Sequence, residues 1–370
     1  MRIKDAFCCL ILVSILPVTL SWGDDSFDVV QAYKRIVADH QRATESIQSA
    51  IGQASLDRLT RDAYRLLLER AKADKKLSAD DLYALGACNE AIGNRDEAKK
   101  LYAASLSKSA TAKTHLALTR VNLKDNLVIG EKHYAAAAKL QPEHPDLSKY
   151  RLLLLSAHQK NRNWNEAIPH LNYLLAYTKT LADNAPANSQ LRANYVSVKQ
   201  QLDRASQFAK MKSSTAPPLK IIQAIQGKVP ELQSLKGKVV VLDFFAIWSG
   251  VSHNRISLLK TLQAKYKGNG VEVIGVTLPY EQKYDPKLDA VAKQPGLTPA
   301  KEASFIATFA KKHSIPWPLG MIAMETIGKY GVSTLPHSVI IDKQGRVAAV
   351  LLGNVNNEKD IETIVNGLIK

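Results

Sequence analysis

Hydrophobic spacing changes character twice along this chain of 370 residues. At the amino end, Ala6 to Leu20 is apolar except at Ser14, Pro17 and Thr19, and Arg2 and Lys4 precede it. A basic start followed by an apolar run of this length matches an export signal and is short for a membrane span. Residues 1–23 are therefore expected to be a signal peptide, cleaved near Ser21 to Gly23, with an uncleaved anchor as the alternative. Cys8 and Cys9 precede the apolar run, which argues against lipoprotein processing. From residue 24 the spacing becomes helical. Phe27, Val30, Tyr33, Ile36 and Val37 form one apolar face, and Leu56, Leu59, Tyr64, Leu67 and Leu68 another. They predict a helical pair over residues 24–77, broken near Gly52.

The helical period continues, now with an internal repeat. Asn94-Arg95-Asp96-Glu97-Ala98 recurs as Asn163-Trp164-Asn165-Glu166-Ala167, with a weaker middle copy at Asn126 and Gly130. Tyr102, Tyr134 and Leu171 follow four residues later, and Pro142 closes the middle unit. Ser78 to Asp81 supplies a start like a capping box. With Leu82, Leu85, Gly86, Ala98 and Tyr102, residues 78–180 resemble tetratricopeptide repeats, whose period is about 34 residues. That resemblance implies stacked helical hairpins and a concave groove that holds a peptide or a partner protein. The loop Asn184 to Gln190 leads to a helix from Leu191 to Met211, with Leu202 and Phe208 on its apolar side. Residues 181–213 are thus expected to form a capping helix and linker. Ser213 to Pro218 cannot continue a helix and marks the boundary before a domain over residues 214–370.

Beyond that boundary strands and helices alternate. Val239 to Phe244 is almost continuously apolar and β-prone, as suits a strand covered on both faces, with Asp243 the exception. Trp248-Ser249-Gly250-Val251-Ser252 follows. Then comes a helical run through Ile256, Leu258, Leu259, Leu262 and Tyr266 that stops at Gly268-Asn269-Gly270. Val271 to Thr277 reads as a second, parallel strand, and Pro279 to Pro299 as a polar insertion. Helices are expected over Lys301 to His313 and Asn357 to Ile369. Trp317-Pro318, Ile340 to Asp342 and Val347 to Leu352 complete the sheet.

This C-terminal pattern resembles the TlpA/ResA-type thioredoxin-like proteins. The likeness rests on Lys236-Gly237-Lys238, the strand ending in Phe244-Phe245-Ala246-Ile247-Trp248, the four-residue loop, and Tyr330 to Pro336 followed by Ser338 to Asp342, Gly345 and Gly353. The resemblance implies a cis Pro336 packed against the loop. It also implies a Cys-x-x-Cys site where this chain has Ser249 and Ser252. In such a site a helix N-terminus stabilises a thiolate, which attacks a disulfide sulfur. A serine hydroxyl can neither join a disulfide nor ionise at neutral pH under the same dipole. Asp243 occupies the position of the family's buried acid, and here reads as a hydrogen-bonded buried carboxylate. Arg255-Ile256-Ser257 stands where ResA-like members carry Glu-x-Pro. His253 and His337 flank the loop and the proline. With no oxyanion-hole signature beside them, both are expected to be solvated rim residues and not partners of a nucleophilic serine.

Charge and cysteine content narrow the function. The formal net charge is +16, yet the lysines are scattered, without a dense run or interleaved aromatics. Nucleic acid is a poor candidate, whereas an anionic envelope surface remains compatible. Of three cysteines, only Cys88 lies outside the expected signal, inside a helical pattern where it reads as a small buried hydrophobe. No metal-ligand spacing and no phosphate-cradling glycine loop occurs, so no cofactor is expected. The expected architecture is a multi-domain chain: an α-helical solenoid like tetratricopeptide repeats, followed by an α/β thioredoxin-like domain. The expected function is that of an exported, periplasmic or extracellular, interaction protein without catalysis. It would bind protein or extended peptide through the helical groove and through Trp248, Ser249, Gly250, Val251, Ser252, Leu335 and Pro336. The family resemblance taken alone implies a thiol-disulfide oxidoreductase instead.

Overall fold

The computed structural model describes residues 27–47, 49–72, 76–353 and 358–370, so the expected export signal lies outside the described residues. The chain divides into two compact units, Met1–Lys160 and Asn161–Lys370. Among the described residues no helix is long and apolar enough to cross a membrane.

The first unit is helical. Helix α1 (Val29–Ser46) starts at Asp28, whose carboxylate accepts from the Gln31 N–H, and α2 (Ala50–Ala71) starts at Ser49, which accepts from Gly52. The break therefore comes at the Ser49 cap, slightly before Gly52. That glycine sits in the first turn, where a Cβ would come within 2.9 Å of the Ile47 and Ser49 side chains. Next come α3 (Ala79–Ala91), α4 (Arg95–Lys108), α5 (Ala112–Asn122), α6 (Leu127–Leu140) and α7 (Leu147–Lys160). Ser78 and Asp81 close a reciprocal capping box on α3. Helices α3 and α4 pack as one antiparallel pair, α5 and α6 as another. Each pair meets at a glycine. Gly86 lies under the Tyr102 ring, with 2.8 Å available to a Cβ, and a Cβ on Gly130 would come within 3.3 Å of the Thr119 carbonyl. A polar strut joins the pairs: Arg120 donates to both Glu90 oxygens (2.5 and 2.8 Å) and to Tyr150, while the Tyr102 hydroxyl donates to Glu90 at 2.9 Å. Cys88 is buried beside Ala32, Ile36, Ala63, Tyr64 and Leu67, and burial pushes its thiol up to about 12.

The second unit opens with a helical hairpin, α8 (Trp164–Asp183) and α9 (Gln190–Met211). It continues through β1 (Ile221–Gln226), β2 (Val239–Phe244), α10 (Gly250–Tyr266), β3 (Val271–Thr277), β4 (Gln282–Asp285) and β5 (Ala290–Lys293). It ends with α11 (Pro299–Lys312), β6 (Leu319–Ile322), α12 (Met324–Tyr330), β7 (His337–Ile341), β8 (Val347–Leu352) and α13 (Glu358–Ile369). Six strands form one sheet in the order β1-β6-β3-β2-β7-β8. Strand β3 runs parallel to β2 and β6, and the other neighbours are antiparallel. The expected insertion is partly ordered, because β4 and β5 form a separate hairpin.

Alternation along β2 decides what each face meets. Val239 and Val241 point into the main core with Leu259 and Leu262 of α10 and Ile361 and Val365 of α13. Phe244 points to the opposite face, where it meets Tyr330 at 5.2 Å and His337 at 5.5 Å between ring centroids. The hairpin covers that second face. Phe208 of α9 lies 6.0 Å from His337 and 5.1 Å from Trp164, and Gln207 donates to the Gly328 carbonyl. Gly331 has φ +64° and leaves only 2.8 Å between a Cβ and the Phe208 ring, so glycine is needed both for the helix end and for the approach. The segment from Ser213 to Ala216 is stitched to the start of β8. Ser213 donates to Val347 (2.8 Å), Val347 to Ser214 (2.8 Å) and Ala216 to Gly345 (2.9 Å).

Candidate functional site

The serine loop sits at the C-terminal end of β2. Antiparallel pairing sets Phe244 opposite His337 and Asp243 opposite Ser338, so Pro336 falls beside the start of the loop. The Leu335–Pro336 peptide is cis, and the Pro336 carbonyl accepts from Gly353 at 2.9 Å. Gly250 begins α10, and the loop residues before it form a tight turn. Ser249 N–H donates to Ala246 O at 3.1 Å, and Ser252 N–H donates to Ser249 O at 2.9 Å.

Both serines are committed to the backbone. Ser252 is fully buried, and its hydroxyl accepts from the Ala246 N–H at 3.5 Å. Ser249 is 8 % exposed, and its hydroxyl accepts from the Ser252 N–H at 3.4 Å. Ser249 thus meets an N–H in the first turn of α10, while Ser252 ties that turn back to the loop before it.

The histidines depart from the expectation of solvated rim residues. His337 is fully buried on the far face of the sheet, between Phe244 and Phe208, and among the described residues neither ring nitrogen has a partner. Burial, with the Arg204 and Arg255 charges, lowers its pKa to about 3, so it is neutral. The reason is strand parity: one residue past Pro336 the side chain turns away from the loop. His253 is half-buried, its Nε2 bound to the Ile247 carbonyl at 2.7 Å, with its ring tilted against those of Phe309 and His313. Neither imidazole is paired with a serine.

Beneath the loop lies a buried polar chain that begins at Arg255. This residue is 4 % exposed and donates to Ser338 Oγ at 3.1 Å and to Gly353 O at 2.7 Å. Ser338 Oγ in turn donates to Asp243 Oδ1 at 2.7 Å. Burial pushes the Asp243 carboxyl up to about 6, against the lowering influence of Arg255 and of the Ser338 hydrogen bond. Sequence reasoning singled out Arg255 as a departure but not as this partner. The available signal was a charged residue directly before Ile256 on the buried stripe of α10.

Above the loop the surface is aromatic. Trp248 is 50 % exposed, and its ring meets Tyr280 edge-on at 5.7 Å. Val251 is exposed and Leu335 half-buried. Tyr280 is held by a residue that sequence reasoning did not single out. Glu302 is 1 % exposed, and its carboxylate accepts from the N–H groups of Tyr280 (3.0 Å), Glu281 (2.9 Å) and Gln282 (3.0 Å). Burial and the Glu302 charge raise the Tyr280 pKa.

The sheet order, the loop at a helix start and the proline turn are those of a thioredoxin-like fold. Comparison with known proteins agrees: the Redoxin family matches residues 211–366. The chain is 28 % identical over 152 residues to the thiol-disulfide oxidoreductase ResA of Bacillus thuringiensis (strain Al Hakam), covering 40 % of this chain and 75 % of that protein. It is 25 % identical over 146 residues to ResA of Geobacillus thermodenitrificans (strain NG80-2), covering 39 % and 71 %. A solved structure of a thiol:disulfide interchange protein from Chlorobium tepidum TLS is 21 % identical, covers 42 % of this chain and 99 % of its own, and has a TM-score of 0.32. The matched region here contains no cysteine. Among the described residues Cys88 is the sole thiol and is free, so no pair stands at disulfide distance. The dithiol chemistry of the fold is lost.

Proposed function

We propose that this chain is an exported protein-interaction protein whose thioredoxin-like domain binds extended peptide at the face formed by Trp248, Val251 and Leu335, beside the buried Pro336. One observation carries it: the sulfur positions are filled by buried, backbone-bound serines, while the aromatic rim over them stays open to solvent. Main-chain pairing and apolar anchors recognise peptide without sulfur. The helical pairs of the first unit, with their repeat at Asn94 and Asn126, support a tetratricopeptide-like groove as a second surface for a partner. The net charge of +16 supports residence at an anionic envelope surface.

The test pairs binding with chemistry. A library of extended peptides is expected to yield binders that Trp248→Ala weakens about tenfold or more, as loss of an exposed aromatic anchor does. Insulin reduction with dithiothreitol is expected to stay at the uncatalysed rate. The absence of any peptide binder, or turnover that survives Cys88→Ala, would refute this function and favour the oxidoreductase implied by the resemblance.

A further inference from the structure

The pair α5–α6 brings together two histidines that sequence spacing does not connect. His115 on α5 and His133 on α6 are 18 positions apart in the chain, yet their Nδ1 atoms lie 3.0 Å apart. The ring centroids are 5.2 Å apart, so the rings meet almost nitrogen to nitrogen and share one hydrogen bond. Both residues are half-buried, which leaves solvent access and room for the rings to turn. Burial lowers the pKa of both, and His115 lowers that of His133 further. Each is a neutral imidazole at pH 7, the form in which histidine ligates.

The separation of the nitrogens sets the angle at a shared ion. With nitrogen–metal bonds of about 2.0–2.1 Å, a 3.0 Å separation subtends between about 90° and 100°. That is close to the cis angle of square-planar or tetragonal Cu(II) and Ni(II), and narrower than the roughly 109° of tetrahedral zinc. We infer that His115 and His133 form a two-nitrogen site for a divalent transition-metal cation, Cu(II) ahead of Ni(II) and Zn(II), that braces α5 against α6. To bind, the two rings swing from facing each other to facing one ion. The proton on the donor ring's Nδ1 passes through solvent to its outer Nε2, so both rings ligate as neutral imidazoles and no net proton is released. Among the described residues no third histidine, cysteine or carboxylate joins this pair, so water fills the other positions. The site is an exchangeable clamp and not a closed structural centre.

Titration of the full chain with CuCl2 in a buffer containing glycine as competitor, read by calorimetry and electron paramagnetic resonance, tests the site. One Cu(II) equivalent of the wild type is expected to be missing from His115→Gln and from His133→Gln. The difference spectrum should show coupling to two nitrogens. Glutamine can still hydrogen bond but offers no imidazole nitrogen, and two variants on different helices guard against a fold defect in either one. Cu(II) should raise the melting temperature of the wild type more than that of either variant, because an ion held only by the folded pair stabilises it. Zn(II) should occupy the same equivalent at least about tenfold more weakly. Equal Cu(II) equivalents in wild type and both variants, a difference spectrum without paired nitrogen coupling, or tighter binding of Zn(II) than of Cu(II) would each overturn the proposal.

Discussion

Asp243 and Arg255 show how one altered residue rewrites a buried site. An acid in the sheet centre costs free energy unless its charge is met, and here Ser338 bonds it directly while Arg255 supplies the opposite charge nearby. Removing one member of such a buried set typically costs about 3–5 kcal/mol. Arg255→Met is expected to lose about that much in urea unfolding, and adding Asp243→Asn should recover most of it. His337 makes the opposite statement, since no described residue meets its nitrogens. Its pKa is depressed from 6.5 to about 3, so below pH 6.5 the unfolded chain takes up a proton that the folded chain refuses. Stability from this residue is intact above pH 6.5 and falls as pH drops toward 3, by about 2 kcal/mol at pH 5. His337→Leu should therefore stabilise the protein more at pH 5 than at pH 7, by that amount, in paired unfolding curves; equal effects at both pH values would contradict the assignment. Asp243 was conspicuous in the sequence as one charge in an apolar run. The placement of His337 was not, because reading a strand one residue out of phase exchanges its two faces.

At the scale of elements, long periodic segments were legible and short edge pieces were not. The strands Val239–Phe244 and Val271–Thr277 and the helix after the loop stand where the apolar spacing puts them. The β4–β5 hairpin was read only as a polar insertion, its strands unrecognised, because its exposed face is rich in lysine and the one buried anchor of the two strands is Tyr284. Strand β1 was missed for a related reason: its burial alternates weakly along six residues beside a proline pair. The turn before β4 is fixed from a distance by Glu302, a dependence no local pattern reveals. Glu302→Gln is expected to cost about 2 kcal/mol, the value of charge-assisted bonds lost, and to quicken proteolysis between residues 279 and 299. Ser249 and Ser252 meet across one tight turn, the Ser252 N–H bonded to both the carbonyl and the hydroxyl of Ser249. Ser249→Cys with Ser252→Cys is expected to form a disulfide under oxidising conditions, scored by thiol titration; failure to form it would mean the turn has diverged along with its atoms.

For the chain as a whole, helical and α/β halves were evident from the change of hydrophobic period, yet the packing of the hairpin was not. Nothing in the spacing of Leu202 and Phe208 says which surface they cover. In the structure residues 161–211 belong to the same compact unit as the sheet, and Phe208 is completely buried against it. A fragment of residues 161–370 is expected to be more stable than one of residues 214–370 by at least about 3 kcal/mol, the burial value of Trp164 and Phe208. Denaturant midpoints of the two fragments measure it, and equal midpoints would mean the hairpin is ornamental to the domain.

Cys88 has a practical consequence. Its sulfur is buried and remains protonated far above neutral pH, so maleimide reagents near pH 7 should pass it by. In a chain that begins after residue 23, a cysteine placed on the surface would then be the sole labelling point, with no need to delete the native one. A fluorophore attached beside Trp248 would report occupancy of that rim in real time.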